Sequence, residues 1–440
     1  MKILFVMPRL GLYKKGRGFR KNLTYAPLTL TTLASLVPKE FNADMRIIDE
    51  GVEECDYDSL SPDLVCVTGI TGHILRSYEI AGSFRKRGIT VMIGGVHATL
   101  MPQEAKQHAD CVVTGHAYRT FPQALMDWRR GELKEFYKDD APFFGGIPIP
   151  RRDLLRKSGY ISINTTQAVF GCPQRCEFCV ISATKTGYHH RPIPEIIAEI
   201  KAMNAKLIFF LDPSPIENAA YSKELYRQMI PLKVNWMGLS TSRIIDDEEL
   251  LSLAHQSGCA GLLIGFESVS EKSLDRMNKK FNSVEKHYRL VKELHKRNIA
   301  IMGCFVFGSD ADEKTIFKET VDFCLKTGID LPRFTVYTPF PTTPLFNRLE
   351  KEGRILTTNW SKYNCQNVVF QPKNMSVREL EEGLGFSWRE CYRAKSILKR
   401  LVKARVRLMW MIIANMGYRY YSLDHSRFKD PCAVSAASAC

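Results

Sequence analysis

Short apolar runs alternate with amphipathic stretches along the first 140 residues. Runs 3–7, 45–48, 64–68, 90–93 and 111–114 read as strands, and 28–36 and 77–87 as helices. This is the βαβ rhythm of an open parallel sheet. Glycines follow several of these strands: Gly69 and Gly72, then Gly94 and Gly95, then Gly115. Ligands of such sheets bind beyond the carboxyl ends of the strands, where a residue without a side chain lets a ligand approach the backbone. Residues 141–160 are rich in Pro, Gly and Arg and read as a linker. A second βα series follows, with strands at 161–165, 207–211, 234–240, 261–265, 300–307 and 333–337 and helices at 194–203, 247–257 and 283–297. Six βα steps predict a partial or full α/β barrel over 161–345. Beyond it, 346–440 reads as a helical region with helices at 376–384 and 390–413. In the latter, Leu398, Leu401, Val402, Leu408, Met409 and Ile412 recur at helical spacing. That stripe predicts a helix docked on the core.

Composition narrows the picture. The 440 residues allow two or three domains, and 45% hydrophobic with 25% charged content is that of a globular protein. No apolar run reaches the roughly 18 residues of a membrane span. The opening run is cut by Pro8 and is too short for a secretory signal. The expectation is a cytoplasmic protein whose 13 cysteines are reduced thiols, some of them metal ligands. A net charge of +15 favours anionic partners, among them nucleotide cofactors, acidic small molecules and anionic lipid surfaces, with no need for nucleic acid. The basic, Met- and Trp-bearing stretch 399–413 also suits peripheral contact with a membrane, as the second reading of that helix.

The most informative segment is Gly171-Cys172-Pro173-Gln174-Arg175-Cys176-Glu177-Phe178-Cys179. Three cysteines at C-x3-C-x2-C lie just after the first predicted barrel strand. Thiolates are the usual ligands of iron–sulfur clusters, and this spacing lets one loop wrap one cluster. Three ligands leave one iron of a 4Fe-4S cluster open to chelate the amino and carboxylate groups of S-adenosylmethionine. A structural zinc site needs four ligands, often as two pairs, and only His189 and His190 lie nearby in the chain. An electron-transfer cluster has a fourth cysteine, and none follows at ferredoxin spacing.

With Phe178 before the last cysteine, the segment resembles the radical S-adenosylmethionine (SAM) superfamily. The resemblance continues in Phe209-Phe210-Leu211-Asp212, similar to the strand that approaches the methionyl group. It also includes Gly265-Phe266-Glu267-Ser268, similar to the G-x-E-S strand end, and Gly303-Cys304-Phe305-Val306-Phe307-Gly308, similar to the strand supporting the adenine. It implies that Cys172, Cys176 and Cys179 hold the cluster, with Phe178, Asp212, Ser240 and Glu267 beside the nucleoside cosubstrate. Pro213-Ser214-Pro215 and Ser240-Thr241-Ser242-Arg243 are less acidic than the family pattern.

In the first domain, Val67-Thr68-Gly69-Ile70-Thr71, Ile93-Gly94-Gly95-Val96-His97-Ala98-Thr99, Pro102-x-Glu104 and Ala109-Asp110-x-Val112-Val113-x-Gly115 resemble the cobalamin-binding domain of cobalamin-dependent radical enzymes. The resemblance implies a doubly wound, Rossmann-like domain over 1–140. It would have Thr68, Gly69, Thr71, Gly94, Gly95, His97, Thr99 and Gly115 around the corrinoid. The D-x-H-x-x-G motif is absent, which implies a cobalt without a histidine from this chain. His97 also reads as a hydrogen-bonded turn residue. Gly115-His116-Ala117-Tyr118 stands in place of the usual G-E-x-E, and no G-x-G-x-x-G or Walker loop occurs.

Toward the end, Asp330-Leu331-Pro332-Arg333-Phe334, Thr338-Pro339-Phe340-Pro341, Glu352-Gly353-Arg354-Ile355-Leu356 and Gly417-Tyr418-Arg419-Tyr420 resemble the hopanoid and bacteriochlorophyll methylases, a subgroup of the class B radical SAM methyltransferases. The resemblance implies transfer of a methyl group from SAM, via methylcobalamin, to an unactivated carbon of an apolar, lipid or tetrapyrrole-like substrate. A second SAM yields the hydrogen-abstracting 5′-deoxyadenosyl radical. A flavodoxin or ferredoxin would be the electron donor. Two other readings stand: a cobalamin-dependent enzyme that cyclises or rearranges its substrate, and an iron–sulfur protein without turnover. Cys304 and Tyr337 are candidate proton carriers by location alone.

Overall fold

The computed structural model describes residues 1–9, 26–139 and 145–423. The first sheet has six strands: β1 (Lys2–Met7), β2 (Asp44–Asp49), β3 (Leu64–Thr68), β4 (Thr90–Gly94), β5 (Cys111–Thr114) and β6 (Phe136–Lys138). Their order is β2-β1-β3-β4-β5-β6, all parallel. Every residue of β3 is buried, because helices cover both faces, and the strand therefore reads as a continuous apolar run. Strand order reverses between β1 and β3, which opens a crevice at their carboxyl ends. The edge strand β6 has three residues and no apolar run, so nothing in the pattern predicts it.

The second half begins with β7 (Thr165–Thr166). A small antiparallel hairpin follows, β8 (Val169–Phe170) with β9 (His189–His190), and then β10 (Leu207–Phe210), β11 (Asn235–Ser240), β12 (Cys259–Glu267), β13 (Ala300–Phe307) and β14 (Leu331–Val336). Six parallel strands run β14-β13-β12-β11-β10-β7 in one open series, a partial barrel. The predicted strand at 161–165 shrinks to Thr165–Thr166. Upstream, the Asn164 N–H donates to Ser162 Oγ at 3.0 Å, a local turn that competes with sheet pairing. Two of the outer helices start where capping residues stand. Asp247 accepts from the Leu250 N–H at 3.0 Å and Ser283 from the Lys286 N–H at 3.2 Å.

The segment read as a linker is bonded to both halves. Arg151 N–H donates to Thr31 O at 2.9 Å and Tyr160 Oη donates to Asp49 at 3.0 Å. The buried Arg152 donates to Thr165 O and to the Glu199 carboxylate, which also receives Arg191 at 2.7 Å.

The C-terminal region departs from expectation. The helix Val377–Cys391 is closed at its start by a Ser376/Glu379 capping box and runs past the predicted end at 384. The single predicted helix at 390–413 is two helices, Ala394–Ala404 and Leu408–Leu423, broken where Arg405 and Arg407 adopt φ of +52° and +40°. The predicted docking stripe is also corrected. Leu401 packs on the core, but Leu398 and Met409 are 62% and 72% exposed, and Val402, Leu408 and Ile412 are exposed as well. The docked faces instead carry Arg400 and Asn415. Arg400 is fully buried and donates to the carbonyls of Ile329, Asp330 and Cys391 and to Asn415 Oδ1. Both terminal nitrogens of Arg400 are hydrogen-bonded while its Nε has no partner among the described residues, and the docking of these polar groups turns the apolar stripe outward.

Candidate active site

The chain leaves β8 through Gly171 at φ +72°, where a Cβ would run into the carbonyl of Gly187, so a residue with a side chain does not fit. Cys172, Cys176 and Cys179 follow in one loop; Cys176 is buried and the other two are half-buried. Residues from later in the barrel fix this loop. Asn278 Nδ2 donates to Arg175 O at 2.7 Å. Arg348 Nε and Tyr337 Oη donate to the Glu177 carboxylate at 2.7 and 3.3 Å, and Gln174 Nε2 donates to Glu217 at 2.7 Å. The Phe178 ring meets Tyr337 edge to face at 5.4 Å. Burial pushes the Cys172 thiol up and the Cys176 thiol up to about 11. Thiols this buried keep their protons unless further positive charge arrives, as it does from the iron of a cluster. Three thiols on one loop are the donor type such a group takes. Of the two histidines, His189 has its Nε2 3.0 Å from Thr186 O, and the His190 ring packs on Tyr221 at 4.5 Å with its buried Nε2 unpartnered among the described residues.

Beside the loop, Glu267 ends β12 in the left-handed region at φ +65°, at a register shift in its pairing with β13. Its carboxylate folds back over Gly265, where a Cβ would collide with it. It pairs with Lys279 Nζ at 2.9 Å, and that ammonium lies 5.8 Å from the Phe178 ring centroid. A non-glycine residue held at positive φ stores local strain of the kind found at functional sites. Sequence reasoning missed Lys279, which stands in an unremarkable Asn278-Lys279-Lys280 run. Ser240 is buried at the end of β11, the strand next to β12. Asp212, expected beside the cosubstrate, is buried with its Oδ1 accepting the N–H groups of Ala168 and Val169, both at 2.7 Å. Burial pushes it up to about 7. Its role in this geometry is to clamp the base of the hairpin that carries the cysteine loop.

At the carboxyl edge of the first sheet, Thr68, Gly69, Thr71, Gly94, Gly95, Thr99 and Gly115 come together. A Cβ on Gly95, at φ +98°, would lie 2.6 Å from Thr68 Oγ1 and 2.8 Å from Gly69 O. The ends of β3 and β4 therefore meet backbone to backbone, a surface on which a flat ligand could rest. Thr99 Oγ1 donates to Gly95 O and accepts from the Gly115 N–H, both at 2.9 Å. His97 does not line this edge. It is fully buried, with Nδ1 3.2 Å from Thr71 Oγ1 and Nε2 3.2 Å from Glu104, the turn-residue reading. Glu104 also receives Tyr78 Oη at 3.0 Å and the Trp360 indole N–H at 3.1 and 3.0 Å. Burial raises the Glu104 carboxyl, but these hydrogen bonds outweigh it and hold the group below its ordinary value. Trp360 had no sequence signal; it reaches the first sheet from the far side of the barrel in the chain.

The two edges meet. Phe170, the residue before Gly171, packs edge to face on His116 at 5.5 Å and on Tyr118 at 5.3 Å. A Cβ on Gly115 would come within 3.7 Å of Thr186. Burial pulls His116 down to about 4, leaving a neutral imidazole at this junction.

Two family models match the chain beyond its first domain. A model described as the radical SAM superfamily matches residues 167–323, and one described as a domain of unknown function, DUF4070, matches 343–410. The chain is similar to bacteriochlorophyllide d C-12(1)-methyltransferase of Chlorobaculum tepidum, 30% identical over 399 residues that cover 88% of this chain and 87% of the relative. It is also similar to the anaerobic magnesium-protoporphyrin IX monomethyl ester cyclase of Cereibacter sphaeroides, 25% identical over 90% of this chain and 71% of that one. Among solved structures, the radical SAM methyltransferase TsrM of Kitasatospora setae, solved with cobalamin and a [4Fe-4S] cluster, superposes with a TM-score of 0.62. That match has 18% identity and covers 87% of this chain and 84% of TsrM, a likeness of fold. Sequence motifs, fold and relatives agree: the chain belongs to the cobalamin-dependent radical SAM enzymes, in the family of the bacteriochlorophyllide methyltransferases.

Proposed function

We propose that this enzyme transfers a methyl group from SAM to an unactivated carbon of an apolar, tetrapyrrole-like substrate. The observation that carries the reading is the junction at Phe170, whose contacts with His116 and Tyr118 hold the glycine-lined edge of the first sheet against the cysteine loop. A methyl carrier on one edge and a radical source in the other must share one substrate. The similarity to bacteriochlorophyllide d C-12(1)-methyltransferase supports a tetrapyrrole as that substrate.

In this reading Cys172, Cys176 and Cys179 hold the 4Fe-4S cluster, and residues 1–140 hold the corrinoid along Thr68, Gly69, Thr71, Gly94, Gly95, Thr99 and Gly115. When bound, these groups supply the radical chemistry and the methyl carrier. The chain does the rest. Phe178, Ser240 and Glu267 shape the SAM pocket, and Glu267 is held in an ion pair with Lys279. Asp212 holds the loop at its base and His97 braces the corrinoid edge from beneath. The basic surface suits an acidic electron donor such as a flavodoxin or ferredoxin.

The similarity to the anaerobic cyclase favours ring closure as a second reading. Anaerobic turnover with methyl-labelled SAM and a bacteriochlorophyllide separates the two. Methylation predicts 5′-deoxyadenosine, S-adenosylhomocysteine and a product carrying the label. An unlabelled product with a new ring would overturn it in favour of cyclisation.

A further inference from the structure

The last two helices dock with their apolar side outward. On Leu408–Leu423, Met409, Ile412, Ile413 and Met416 stand at i, i+3, i+4 and i+7, and all four are exposed. Leu398 and Val402, four apart on Ala394–Ala404, are exposed as well. The opposite faces are committed: Asn415 Nδ2 donates to Asp330 O at 3.1 Å, and its Oδ1 accepts from the buried Arg400 at 2.8 Å. A surface helix ordinarily buries its apolar stripe, and a contiguous exposed one marks an interaction site.

Charge selects the partner. Residues 391–423 contain eight Lys or Arg and no Asp or Glu, and Lys399, Lys403 and Arg405 are exposed around the stripe. We propose that this helix pair is a docking surface for an anionic lipid bilayer. The stripe would lie at the headgroup boundary and the cations on acidic headgroups. No helix among the described residues is long and apolar enough to cross a membrane, so the contact is along the surface. A second copy fits poorly, because symmetric pairing would set two basic faces together with no carboxylate in the stretch to offset them. Residues 424–440 offer only Phe428 and Val434 as large apolar side chains, too few to cover the stripe. The inference stands apart from the reaction proposed above.

The test is flotation of the full-length protein with vesicles of equimolar phosphatidylcholine and phosphatidylglycerol, and with phosphatidylcholine alone. The wild type should float with the anionic vesicles, and the emission of the exposed Trp410 should shift to the blue. Binding should fall at least about tenfold with phosphatidylcholine alone, in M409D/I413D, and in K399Q/K403Q/R405Q. It should also weaken at about 0.5 M salt. These positions are exposed, so each variant should keep the wild-type melting temperature. Three results would overturn the proposal: no flotation of the wild type with anionic vesicles, equal flotation of all variants, or a wild-type dimer that M409D/I413D converts to monomer.

Discussion

Lys279 Nζ lies 2.9 Å from Glu267 Oε1, with the two side chains only 11% and 9% exposed, beside the loop that carries Cys176. Burial opposes the charge on Lys279, but Glu267 outweighs it and keeps the ammonium protonated. Removing one partner of such a pair leaves the other charge buried alone. K279M should therefore lose about 3–5 kcal/mol, and E267Q/K279M should recover much of that loss. Urea unfolding of the two single variants and the double variant checks it; additive losses would mean that the two residues do not act as a pair.

Gly171 is fixed by space as well as by backbone angle. G171A should destabilise the fold by more than about 2 kcal/mol and lower iron uptake, because positive φ costs about 1–2 kcal/mol before any clash. Gly131 has a similar φ of +76°, and a Cβ there would meet nothing within 4 Å. G131A should show the backbone cost alone, with iron uptake unchanged, as thermal unfolding and iron determination would report.

Asp212 sets a pH dependence. Its folded-state pKa is raised from 3.8 to about 7 by burial. Its contribution to stability is therefore complete below about pH 4 and is lost as pH rises through 7. D212N keeps an acceptor oxygen for the Ala168 and Val169 N–H groups and cannot ionise. Relative to D212N, the wild type should lose roughly 3–4 kcal/mol between pH 4 and pH 8, at about 1.4 kcal/mol per pKa unit. Denaturant midpoints across that range measure it, and parallel curves for the two proteins would refute it.

Trp360 ties the tail of the chain to the first sheet through Glu104. W360F should cost about 1.5–3 kcal/mol at pH 7, the worth of hydrogen bonds to a charged group. The sign of the pH effect is opposite to that at Asp212. The Glu104 pKa is lowered from 4.5, so its contribution is present above about pH 4.5 and is lost as the carboxylate protonates. The gap between wild type and W360F should shrink below pH 4.5.

Much of this architecture was legible because each element obeys a local rule. The β3 run Leu64-Val65-Cys66-Val67 is apolar throughout because both faces of its sheet are covered. The cysteine loop and Glu267 were marked by spacing and order. What stayed hidden depends on distant partners. Lys279 matters only because Glu267 folds back over Gly265, and Trp360 finds Glu104 across 256 positions. The stripe at Leu398–Ile412 announced two unlike faces but not which one packs. That was decided by the carbonyls of Ile329 and Asp330, which accept from Arg400 Nη1. The break at Arg405 and Arg407 has no Pro or Gly to signal it.

In the proposed reading, Cys172, Cys176 and Cys179 hold an iron–sulfur cluster facing a corrinoid edge. Iron, sulfide and cobalt determination on anaerobically reconstituted protein tests it most directly. Reconstituted wild type should contain about four irons and four sulfides with about one corrinoid per chain. In C172A/C176A/C179A the iron and sulfide should be lost while the corrinoid is retained. Wild-type protein without iron, or a triple variant that keeps its full complement, would contradict it.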